Sequence, residues 1–138
     1  MASFLRTDRH STPPSLADIE AIAEEAFQGL PDALKRFATN VALHIEDFPD
    51  DETVEEMGLE SPFDLMGLYR GVSLGDKSVT QMPSDVDHIF LYRRPLLDYW
   101  CETGEDLTRL VRHLMVHEIG HHFGFSDEDM ERIEESAG

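Results

Sequence analysis

The chain holds one cysteine, Cys101, in 138 residues. That excludes an internal disulfide framework and fits a reducing compartment. Basic residues are scarce: 11 Lys and Arg stand against 29 Asp and Glu, a formal charge of −18. Nucleic-acid binding relies on neutralising phosphates, so this balance argues against nucleic-acid partners, and it equally disfavours anionic membranes. No apolar run reaches the length of a membrane span, and the opening Met1 to Ser15 has no apolar stretch resembling a secretory leader. These absences lead us to expect a soluble, cytoplasmic protein that attracts neutral or cationic partners.

Hydrophobic residues make up 41% of the sequence, enough for one core at this length. Residues 1–14 are polar, end in Pro13-Pro14 and lack periodicity, so we read them as a mobile tail preceding a single domain over 15–138. Ser15 and Asp18 form a capping-box pattern ahead of helically spaced Leu16, Ile19, Ile22, Ala23, Ala26 and Leu30. Gly29 and Pro31 stop that helix, and a short one follows over Asp32 to Phe37. Val41, Leu43 and Ile45 alternate with Ala42, His44 and Glu46, a strand with one buried face. The acidic stretch from Glu46 to Ser61 reads as solvated surface with a short helix near Glu52 to Met57. Two further strands are expected, Leu68 to Val72 closed by a turn at Ser73 to Asp76, and Asp87 to Arg93 stopped by Pro95. The fold class is α+β.

Thr103 and Asp106 predict the cap of a long helix running to about Phe123. Its wheel places Leu107, Leu110, Val111, Leu114 and Met115 on one apolar face, with His117, Glu118 and His121 on the same side. Polar side chains on a core-facing stripe are costly unless a metal ion satisfies them. The run from His117 to Asp127 reads H-E-x-x-H-x-x-G-x-x-D. Imidazoles four residues apart on a helix point the same way and can share one zinc ion. Gly124 can end the helix in a left-handed conformation and return the chain, so that Asp127 offers a third, oxygen ligand. Three protein ligands leave a fourth position for water, as in catalytic zinc sites. Glu118 is then placed to act as general base. A carboxylate ligand cancels one unit of metal charge, which leaves more work for that base.

With these residues the chain resembles the zincin-like metallopeptidase-domain family of small bacterial proteins. The resemblance also takes in Phe27 with Leu30-Pro31, Ile45 to Pro49, Leu68 to Gly71, and Ile89 to Pro95. It implies a small twisted mixed sheet packed on an active-site helix, with zinc held by His117, His121 and Asp127 and Glu118 as catalytic base. It further implies hydrolysis of peptide bonds in a peptide or unfolded protein substrate. The alternative reading is a non-catalytic zinc-stabilised domain that docks a protein partner, and a third is an acidic interaction module with an incidental motif.

Tyr69, Tyr92 and Tyr99 are candidates for stabilising a developing oxyanion, each set against ordinary packing. His122 points about 100° away from His121 on a helix. His113, His44 and His88 are read as ordinary residues, and Cys101 as a small buried hydrophobe. Glu46 and Asp47 are weighed as acceptors that orient a histidine ligand, against solvated positions. Tyr69 to Val72 is a candidate edge strand for an extended substrate.

Overall fold

The structure, a computed structural model, describes residues 12–71 and 86–136. Helix α1 (Leu16–Gln28) begins at the expected Ser15–Asp18 capping box and ends at Gly29. The one-turn helix α2 (Asp32–Lys35) follows, then strand β1 (Val41–Glu46). Helix α3 (Asp51–Glu56) is capped by Asp50, whose carboxylate accepts from the Thr53 amide. Strands β2 (Gly67–Arg70) and β3 (Asp87–Tyr92) complete the sheet. Val72 and the turn expected at Ser73 to Asp76 lie outside the described residues.

The sheet has the order β1-β3-β2, with β3 central. It runs parallel to β1 from Val41 opposite Asp87 to Glu46 opposite Tyr92. Against β2 it is antiparallel, from Gly67 opposite Leu91 to Arg70 opposite His88. The sheet is therefore small and mixed, within an α+β fold. Ile89 and Leu91 of β3 are fully buried on the helical side. On the other side His44 lies 2.8 Å from His88 between ring nitrogens and stacks on Phe90 at 4.7 Å.

Two expectations fail around Pro95 and Thr103. A helix, α4 (Arg93–Thr103), follows β3 without a break, and Pro95 sits inside its first turn. The proline is tolerated there because an amide in the first turn has no intrahelical acceptor to lose. Thr103 ends α4, with Gly104 following at a φ of 70°. The long helix α5 (Leu107–His122) starts one turn later than expected, capped by Asp106 through the Arg109 amide. A last helix, α6 (Asp127–Ser136), was also missed, although Ser126 and Asp129 cap it reciprocally at 3.2 and 3.1 Å.

Helix α5 is the centre of the domain. It packs against α1 on one side, β2 on another and α6 near its end. Val111, Met115, Val116 and Ile119 are all fully buried, because α1 and the sheet cover the helix from two directions. Burying each such side chain contributes about 1.5–3 kcal/mol. Arg93 donates from Nε to the Pro14 carbonyl at 2.6 Å and from Nη1 to Asp47 at 3.1 Å. Pro14, the last residue of the expected tail, is thus buried, while residues 1–11 lie outside those described. Cys101 is exposed rather than buried. No helix among the described residues is long and apolar enough to cross a membrane.

Candidate metal centre

The site is built by the way α5 ends. Its last turn closes as a Schellman motif: the Phe125 amide reaches back to the Gly120 carbonyl at 2.8 Å and the Gly124 amide to the His121 carbonyl at 3.2 Å. Gly124 takes a φ of 85°, a backbone conformation that an L side chain would strain. Ser126 then caps α6, which places Asp127 at that helix's first position and brings its carboxylate back to α5.

The result is a convergence of three side chains. One ligand atom each from His117, His121 and Asp127 lies within 4.8 Å of the other two. His121 Nε2 and Asp127 Oδ1 are 3.3 Å apart. Two ligands on a tetrahedral zinc with bonds of about 2.0–2.1 Å stand about 3.3 Å apart, so this pair already has the spacing of a coordinated one. The two imidazoles are one helical turn apart with ring centroids 5.6 Å from each other. The donor set, two imidazoles and a carboxylate, suits zinc, and it leaves an open position among the described residues. Burial, reinforced by the neighbouring His113, lowers the pKa of His117 and favours the neutral imidazole that a metal needs.

The helical wheel expected these groups on a core-facing stripe. His117, Glu118 and His121 instead line an open cleft of about 790 Å³, with His117 and Glu118 half-buried and His121 exposed. On that side of α5 the contacts come from α6, which reaches it through Glu134 at His113 and Met130 at Gly120. Burial alone therefore does not demand a metal here; the convergence of ligand atoms does the arguing. Glu118 lies in the same cleft, and burial raises its carboxyl pKa, partly offset by His121. No hydrogen bond to another described side chain holds its carboxylate.

Tyr99 lines the cleft and is exposed, so it alone of the three tyrosines keeps its candidacy as an oxyanion donor. Tyr69 is buried, and its hydroxyl donates to Asp87 at 2.6 Å. Tyr92 is buried at the end of β3. Asp47 turns to Arg93, and Glu46 borders a separate acidic groove with Arg70, so neither orients a histidine ligand. His113 has neighbours that its reading as ordinary left out. It stands one turn before His117 with ring centroids 4.1 Å apart, and Glu134 of α6 holds its Nδ1 at 3.1 Å. The signal was present as a third histidine four residues ahead of His117. Met130 of α6 is fully buried against Gly120 of α5.

The chain belongs to the zincin-like metallopeptidase family, whose family model matches residues 38–137. The match spans the whole sheet, α4, α5 and α6, and it begins after Phe27 and Leu30-Pro31. No curated protein matches the chain.

Proposed function

We propose that the protein is a zinc-dependent peptidase in which Glu118 is the catalytic base and His117, His121 and Asp127 hold the ion. The observation that carries this reading is the convergence of three ligand atoms within 4.8 Å, with His117 and His121 on the wall of a cleft that also contains Glu118. Zinc, when bound, supplies Lewis acidity that makes water a stronger nucleophile and the peptide carbonyl a stronger electrophile at neutral pH. Glu118 accepts the proton of the attacking water and passes it to the leaving amine. Its partial burial makes the carboxylate a stronger base than one in bulk water, which favours the transfer. His117, neutral through its own burial, presents a lone pair without first losing a proton.

The cleft wall suggests the substrate. Glu105, Glu131, Glu134 and Glu135 line it against Arg109 and Arg112. With the overall charge of −18, this favours peptide or unfolded protein segments carrying basic side chains. The scarcity of cysteine fits action in the cytoplasm. A purely structural zinc would close its fourth position with a protein ligand. The three-residue group in an open cleft favours catalysis over that alternative.

A Glu118→Gln variant tests the assignment. Elemental analysis should find about one zinc per chain, while hydrolysis of a fluorogenic library of basic peptides falls at least about a hundredfold. Undiminished hydrolysis would remove Glu118 from the base role.

A further inference from the structure

The face of α5 opposite the cleft carries its own device. His122 follows a metal ligand directly, yet its ring lies flat on Tyr69 of β2, with centroids 4.1 Å apart and planes 24° from parallel. Tyr69 is buried and cannot swing away, because its hydroxyl is tied to Asp87 at 2.6 Å. Beyond Tyr69, Gly71 leaves room for the same imidazole. A Cβ at that position would run into the ring atoms Cε1 and Nε2 of His122. Phe123 closes the cluster, edge-on to Tyr69 at 5.8 Å and to His122 at 4.8 Å.

We infer that His122, Tyr69 and Gly71 form a positioning clamp that fixes the last turn of α5 on the sheet and thereby sets His121 for metal binding. The reasoning is mechanical. The final turn of a helix has unpaired carbonyls and frays readily. In this chain that turn carries a ligand, and the turn that delivers Asp127 hangs from it through the Gly120 and His121 carbonyls. An aromatic stack on a buried strand residue resists fraying on the side away from the cleft. The clamp acts through ring contact, so it needs a flat ring at residue 122 and not its ionisation. A stack of this kind is worth about 0.5–1.5 kcal/mol, which sets the expected effect at roughly two- to tenfold in metal affinity.

The inference rests on the metal-site reading and is tested by zinc affinity rather than hydrolysis. Zinc competition against a chromogenic chelator would be compared for the wild type, His122→Ala, His122→Phe and Gly71→Ala. His122→Ala should weaken zinc binding about two- to tenfold, while the melting temperature of the metal-free protein moves by only a few degrees. His122→Phe should bind within about twofold of wild type. Gly71→Ala should weaken binding like His122→Ala, and the double variant should be no weaker than His122→Ala alone, since the added methyl then meets no ring. Unchanged affinity in His122→Ala, or equal losses in His122→Ala and His122→Phe, overturns the clamp and leaves the metal site standing. A wild-type chain that takes up no zinc overturns both.

Discussion

Replacing Gly120 with alanine separates two opposing physical effects at the heart of α5. On helix propensity alone the change should help, since alanine in a helix interior is favoured over glycine by about 1 kcal/mol. The fold reverses that expectation. A Cβ at residue 120 would stand 2.7 Å from Met130 Cγ and closer still to its sulfur. Met130 is fully buried, and the clash involves atoms near the middle of its side chain, so it has no free end to swing aside. Overpacking of this kind costs about 1–3 kcal/mol. The net expectation is a loss of roughly 1 kcal/mol. Urea melts in chelator would measure it without a metal contribution. Met130→Ala by itself should cost about 2–5 kcal/mol. Combined with Gly120→Ala it should cost less than the sum, by about 1 kcal/mol or more, because the new methyl occupies vacated space. Zinc affinity should fall in Gly120→Ala as well, since a displaced α6 carries Asp127 with it. A Gly120→Ala protein about 1 kcal/mol more stable than wild type, as propensity alone requires, would refute the account of how α6 docks.

Asp127→Ala should weaken zinc binding at least about tenfold, measured by chelator competition; unchanged affinity would place the third ligand elsewhere. Arg93→Ala should lower stability by about 1–2 kcal/mol, because it removes a half-buried donor to the Pro14 carbonyl as well as to Asp47. Asp47→Ala, which breaks only a partly exposed pair, should cost less than about 1 kcal/mol, and equal losses in urea melts would contradict this division. Alkaline pH should unfold the protein through its buried tyrosines. Burial, with Glu46 adding to it, pushes Tyr92 up to about 12, and burial with the Asp87 contact pushes Tyr69 upward as well. A folded-state pKa above the unfolded value of about 10 means this stability is complete below pH ~10 and is lost as pH rises towards ~12. A Tyr69→Phe, Tyr92→Phe protein should lose less across that window; parallel losses would locate the alkaline sensitivity elsewhere.

The first helix, the three strands and the one-turn spacing of His117 and His121 were legible because each depends on signals carried within a few residues. The Ser15–Asp18 box, the alternation in Val41 to Glu46 and the four-residue spacing of His117 and His121 are local facts about a chain with fixed periodicities. Helix α4 was missed because Pro95 was read as a stop, when only its position in the first turn decides its effect. Helix α6 was missed although its capping pair and the spacing of Met130 and Ile133 were present, hidden by a highly acidic composition.

What the order of residues determined by itself, then, was the inventory of the site: two imidazoles one turn apart, a carboxylate beside them, a glycine to turn the chain and an aspartate three residues beyond it. Tertiary structure decided where those groups face. Packing of α1 and the sheet against α5 directs its apolar residues inward, and docking of α6 through Met130 on Gly120 leaves the histidines on a cleft rather than in the core. The same packing gave His113 a carboxylate partner and His122 a tyrosine to rest on, pairings between residues 21 and 53 positions apart. Periodicity names the face a side chain occupies; only the neighbour that arrives from elsewhere in the chain determines what that face meets.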